Sequence, residues 1–271
     1  MKLLIISHTS HYEKSKEIVG FSPTVSEINY LSKYFSSIIH LAVLHKNIEA
    51  PKNTIKYSSK NIRFIPINPF GGDTLKSKLS IIPSSISALF AIRRQLKEVD
   101  FFQFRAPTSI GVLLVPYLGW FTRKKGWFKY AGNWNQKDPP LSYKFQKSLL
   151  TNNKKHKVTI NGRWEKQPEH CLSFENPCIS TKDRIDGLKI MQKKEFKQPW
   201  NLCFAGELND NKGVSLILES LKSFPKNNEI DIVHFAGDGK KKQFYLDIAR
   251  EGYQERQEDL DHFALKNNII L

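Results

Sequence analysis

The chain has 271 residues, 40% of them apolar, which suits two compact domains or one large one. No apolar run approaches the ~20 residues that cross a bilayer; the longest, residues 110–121, is interrupted by Gly111, Pro116 and Gly119. The net charge of +16 divides unevenly: residues 1–195 hold 32 Lys and Arg against 14 Asp and Glu, and residues 196–271 hold 10 against 12, so a basic unit suited to an anionic partner precedes a near-neutral one.

The opening MKLLIIS has no signal-peptide apolar core and no small-residue cleavage site, so an unprocessed cytoplasmic protein is expected. KLLIIS (2–7) reads as a buried parallel strand, followed by a polar loop carrying His8 and His11 and reaching Gly20. Residues 22–35 read as a helix capped by Ser22, with Pro23 in its first turn and Ile28, Leu31 and Phe35 on one face. Strands follow at 38–45 and 62–67, then a helical pattern over 75–98 broken near Pro83, and a strand at 100–106. A helix at 108–121 kinked at Pro116, strands at 126–132 and 156–161, a helix at 141–150 between them, and a short strand at 171–176 complete the first unit. The alternation predicts βαβ units and a parallel, doubly wound sheet over residues 1–180.

Residues 181–200 are charged and weakly periodic and read as a linker. A second alternating unit, 201–271, then has a strand at 201–205, a helix at 212–223, a strand at 230–237, a helix from about 240 to 265 and a strand at 268–271. Three strands make half of a doubly wound domain, so the second unit is expected to be incomplete and the chain truncated or dependent on a partner. Cys171, Cys178 and Cys203 form no CxxC pair and read as free thiols. Asp259-Leu-Asp261 lies in a charged helical run and reads as a solvated face rather than a metal site. No Ser/His/Asp set, HExxH or Walker loop is present.

Two strand-to-helix loops in the second unit stand out: GELNDNKG (206–213) and AGDGKKK (236–242). In an open parallel sheet, ligands bind beyond the carboxyl ends of strands. Lys212 beside a helix start, with Gly206 and Gly213 permitting close backbone approach, suits a phosphate.

These loops and the segments around them resemble the start of the C-terminal domain of GT-B glycosyltransferases of the glycosyltransferase group 1 (GT4-type) family, with its Gly-Arg-Leu-x-x-x-Lys-Gly motif, apolar helix, strand and Gly-x-Gly. VDFFQFRAP (99–107), YAGNW (130–134) and VTINGRW (158–164) are similar to members that make capsular or O-antigen polysaccharide. The resemblance implies a GT-B-like α/β fold of two Rossmann-like domains. It implies a retaining transfer from a nucleotide-sugar to a surface polysaccharide or a polyprenyl-phosphate-linked acceptor, with no metal. It places Lys212, Gly206, Glu207, Gly213, Gly237 and Gly239 on the donor side, and His8, Gly20, Arg105, Asn133 and Trp134 on the acceptor side. Glu207 stands where the family has arginine, and a carboxylate there repels a diphosphate. The family's Glu-x7-Glu motif would fall beyond Leu271, so little or no transfer is expected from residues 1–271; the alternative is a non-catalytic remnant that binds a nucleotide or a partner. The basic aromatic stretch 120–130 suits peripheral contact with an anionic membrane. The charge alone would also suit nucleic acid, but no recognition motif accompanies it.

Overall fold

The computed structural model describes residues 1–69, 81–174, 179–223 and 230–257. The expected strand at 268–271, the last turns of the final helix, the DLD triplet, Cys178 and the start of the helix predicted from residue 75 lie outside these residues. Contacts divide the chain into Met1–Thr181 and Lys182–Leu271.

The first unit is built on a parallel sheet. Its strands are β1 (Lys2–Lys14), β3 (Ser37–His45), β5 (Ile62–Ile67), β6 (Phe101–Ala106), β7 (Lys125–Tyr130), β8 (Lys157–Asn161) and β9 (Cys171–Phe174). Pairing gives the order β5-β3-β1-β6-β7-β8-β9, which reverses direction between β1 and β6. Because side chains alternate along a strand, each strand feeds two cores. One face carries Leu4, Ile6, Leu41, Phe102, Phe104, Phe128 and Ile160 against Ile92 and Leu96 of α2 (Ile81–Leu96), Leu114 of α3 (Gly111–Pro116) and Leu150 of α4 (Leu141–Asn152). The other carries Leu3, Ile5 and Ile38 against Ile28 of α1 (Ser22–Leu31). Each fully buried aliphatic side chain contributes about 1.5–3 kcal/mol through removal of apolar surface from water.

The segment after Ile6 is not the expected loop. β1 bulges between Ile6 and Ser10, then runs to Lys14 and returns as β2 (Glu17–Phe21), which pairs with the short β4 (Thr54–Lys56). The connecting Ser15 and Lys16 both have positive φ, 50° and 66°, the backbone of a two-residue hairpin turn. Neither is Gly or Asn, so the turn carries no sequence signal. Gly20 pairs with His11, and a Cβ at Gly20 would lie 2.4 Å from the His11 ring. Ser22 does not cap α1: Phe21 holds the cap position with no side-chain bond, and the Ser22 N–H donates to the Asn53 carbonyl instead. The helix expected to 121 changes at Pro116, as proline withdraws one helical donor, into a π-helical turn, Tyr117–Phe121.

In the second unit, the stretch expected as a linker contains a helix, α5 (Thr181–Lys193), none of whose residues is buried. β10 (Trp200–Ala205) and β11 (Ile230–Ala236) pair in parallel. Phe204 and Phe235 on one face pack with Val214 and Leu218 of α6 (Val214–Ser223) and Tyr245 of α7 (Lys242–Gln257).

Gly20→Ala is expected to cost about 1–3 kcal/mol in urea unfolding, because the His11 ring is hydrogen-bonded on both sides and cannot move aside. Gly187→Ala in α5, where a Cβ meets nothing within 4 Å, is expected to be neutral or to stabilise by up to about 1 kcal/mol. Equal effects at the two sites would refute this account of the hairpin.

Candidate functional site

The carboxyl ends of β1, β6 and β7 meet at the point where strand order reverses, the place where open α/β sheets bind ligands. On the α1 side of that edge lie Arg105 and Lys129. Both bond the same oxygen of Glu27 from α1: Arg105 Nη1 at 2.8 Å and Lys129 Nζ at 2.6 Å. Lys129 is 1% exposed, and its ammonium also sits 3.9 Å from the centre of the Phe174 ring. Arg105, expected to be available to a phosphate or an acceptor, is thus engaged by a carboxylate. Beside it, Gly162, Arg163, Ser173 and Phe174 line a cavity of about 410 Å³ at the carboxyl ends of β8 and β9.

A second polar network fixes the bulge of β1. His11 donates from Nδ1 to the Thr9 carbonyl at 2.9 Å, so its Nε2 accepts, at 2.8 Å, from the Tyr57 hydroxyl. That hydroxyl in turn accepts from His40 Nδ1 at 2.6 Å, which leaves His40 Nε2 to accept from Ser7 Oγ at 2.8 Å. Each neutral ring therefore gives and takes one bond. Burial pulls the His11 pKa down to about 4 and drives that of His40 well below the ordinary histidine value; burial also raises that of Tyr57.

Among the expected acceptor-side residues, His8 is exposed on the bulge and Gly20 is buried under His11. Asn133 is exposed, accepting the Asn135 N–H at 3.0 Å. Trp134 belongs to the core, edge-on to Tyr130 with centroids 4.9 Å apart. The structure brings Arg105 to Glu27 and Lys129, which the sequence reading missed. A lysine within the apolar strand GWFKY and a histidine within IIHLAVL were the available signals.

In the second unit the two glycine loops close on each other. Gly206 N–H donates to the Ala236 carbonyl and Leu208 N–H to that of Asp238, both at 3.0 Å. A Cβ on Gly237 would lie 1.8 Å from the Gly206 oxygen, and one on Gly239 2.4 Å from that of Leu208, so only glycine admits this approach. Lys212 ends a 3₁₀ turn (Asp210–Lys212) whose N-terminus is capped by the Asn209 side chain at 3.1 Å. Gly213, at φ 74°, then redirects the chain into α6, which begins at Val214 rather than at Lys212. Lys212 and Glu207 are exposed. Asp210 is engaged by Lys241 and, at 2.7 Å, by Tyr245; these bonds, that of Lys241 foremost, hold its carboxyl below the usual range.

No protein-family model and no curated protein matches the sequence. Solved structures do. A glycosyltransferase from Rickettsia africae superposes with a TM-score of 0.52 at 14% identity, over 94% of this chain and 65% of that one. Anabaena Alr3699/HepE in complex with UDP-glucose gives 0.52 at 11% identity, over 94% and 66%. The UDP-N-acetylglucosamine 2-epimerase of Rickettsia bellii gives 0.50 at 12%, over 98% and 70%. The chain therefore has a GT-B-like α/β fold and spans about 65% of the length of the Rickettsia africae glycosyltransferase.

Glu27→Gln is expected to cost about 3–5 kcal/mol, because it takes the charge of the shared carboxylate away from two enclosed cations. Glu17→Gln, which breaks an exposed pair with Lys56, should change stability by less than about 1 kcal/mol. The depressed histidines set a pH dependence. Unfolded histidines bind protons near pH 6.5 while folded His11 and His40 do not, so stability is full above that value and is lost as pH falls toward 4. His11 should remove roughly 2 kcal/mol between pH 7.5 and pH 5, His40 adds to the loss in the same direction, and His40→Gln should flatten the profile. Urea midpoints across this range that do not move would overturn the assignment.

Proposed function

We propose that the chain serves a glycosyltransferase that moves a sugar, with retention of configuration, from a nucleotide-sugar to a surface polysaccharide or polyprenyl-phosphate-linked acceptor. The observation that carries this is the closure of the two glycine loops, which presents the backbone of 206–213 and the exposed Lys212 beside the start of α6. A diphosphate leaving group gains negative charge as its bond to the sugar breaks. A fixed cation and the free N–H groups of a helix start stabilise that charge without a metal. Gly206, Gly213, Gly237 and Gly239 shape the loops, and Lys212 bonds the phosphate. The fold shared with HepE, solved with UDP-glucose, supports a nucleotide-sugar donor.

On the acceptor side, the Glu27 triad and the cavity at Arg163 supply the polar groups at the carboxyl edge of the first sheet. The chain works in the cytoplasm, in peripheral contact with an anionic membrane, and nucleic acid is not a partner. Exposed Glu207, which repels phosphate, favours a second reading in which the chain binds a nucleotide without transferring sugar.

Calorimetry tests the donor binding that both readings require. UDP- or GDP-sugars are expected to bind, with or without a chelator. Lys212→Ala should weaken binding roughly 10- to 100-fold, the value of a hydrogen bond to a charged group, and Lys212→Arg should retain most of it. Sugar transfer measured in parallel distinguishes an enzyme from a binding remnant. No heat at millimolar donor would sink both readings for residues 1–271.

A further inference from the structure

The α1-side face of the first sheet is covered unevenly. Over β1 and β3 it is closed by α1. Toward the amino ends of β6 to β9, Phe101, Trp127 and Leu172 line a groove of about 750 Å³ together with Phe35. Leu172 is 44% exposed.

The groove's other walls are cationic. Arg123, Lys124, Lys125, Lys155 and Lys157 line it, and no Asp or Glu does among the described residues. Two of these ammonium groups are pinned by backbone carbonyls: Lys124 donates to Val99 at 2.8 Å and Lys155 to Thr122 at 2.7 Å. Their charge is therefore held at the groove rather than dispersed in solvent. Immediately before this cluster, the π-helical turn presents Trp120 and Phe121, 49% and 79% exposed. An apolar floor, a one-signed rim and exposed aromatic side chains beside it complement one kind of occupant: an amphiphile with an anionic head.

We propose that this groove docks anionic lipid of a bilayer surface. The headgroup phosphate lies among Arg123, Lys125 and Lys157, the apolar portion rests on Phe101 and Trp127, and Trp120 and Phe121 enter the interface. The proposal rests on the membrane contact in the reading above and not on sugar transfer. It adds a direction. The groove is at the amino ends of the strands, while Arg105 and Lys129 are near the carboxyl ends, and a six-residue strand is about 20 Å long. A lipid held in this groove lies at the opposite end of that face from Arg105 and Lys129, so the groove anchors the protein and does not deliver an acceptor to them.

The test is flotation of the full chain with phosphatidylcholine vesicles, with and without phosphatidylglycerol. Binding is expected only with phosphatidylglycerol, and should fall as salt rises. Replacing Arg123, Lys125 and Lys157 together by Gln, three surface changes, should weaken it roughly a hundredfold, about fivefold per cation. Trp120→Ser with Phe121→Ser should weaken it further while circular dichroism stays unchanged. With brominated lipid, Trp120→Phe should remove a quenched component of the fluorescence and Trp134→Phe should not. Equal binding to both vesicle types, no binding, full binding by the Gln variant, tighter binding to random RNA, a second copy occupying the groove, or quenching of Trp134 alone would each overturn the proposal. Donor calorimetry on the same samples is independent of these outcomes.

Discussion

One carboxylate ties helix α1 to the two strands beside the reversal point of the first sheet. Glu27 accepts from Arg105 on β6 and Lys129 on β7 through a single oxygen, with Lys129 almost sealed from water. A buried ammonium is costly unless it is paired, and Glu27 is one partner that Lys129 has. With Glu27 bonded to β6 and β7, α1 is held over β1 and β3, and Ile28, the next residue, sits in the core with Leu3, Ile5 and Ile38. The histidine network extends the same logic toward β3 and β5. Each polar side chain of that network is given a partner, and the partners come from three separate segments of chain.

Much of this was visible in the residues. The strands at 38–45, 62–67 and 100–106 announce themselves as apolar runs between polar turns, and the alternation with helices predicts the parallel sheet. The second unit's glycine loops were legible because a parallel strand followed by Gly, a lysine and an amphipathic helix is a local pattern. What was hidden is non-local. The hairpin beyond β1 depends on a turn whose residues, Ser15 and Lys16, belong to no favoured turn sequence, and on a bond from Ser22 to Asn53 far along the chain. Trp134, read as a cleft residue, is buried because Tyr130, four residues earlier, offers its ring. Glu27 was invisible as a site residue because a carboxylate between Val25 and Ile28 on a helix gains meaning only once two cations arrive from β6 and β7.

The two units treat charge differently. In the first, cations are held at fixed positions, by Glu27 at one end of the sheet and by backbone carbonyls at the other. In the second, both loop lysines are exposed, Lys241 is bound by Asp210, and Lys212 has no carboxylate partner among the described residues. The glycines there fix the separation of the loops, and that separation decides what can lie against them.

The bulge in β1 has a property that belongs to arithmetic rather than to energy. Between its two registers with β3, four steps along β1 match two along the partner, a slip of two residues. An even slip conserves parity, so His11 falls on the same side of the sheet as Ile5 and His40. An odd slip would have inverted the whole hairpin, turning Tyr12 inward and His11 out. Length variation within residues 7–9 is thus quantised in pairs: the ribbon can lengthen or shorten by two without exchanging its wet and dry surfaces, and by one it cannot.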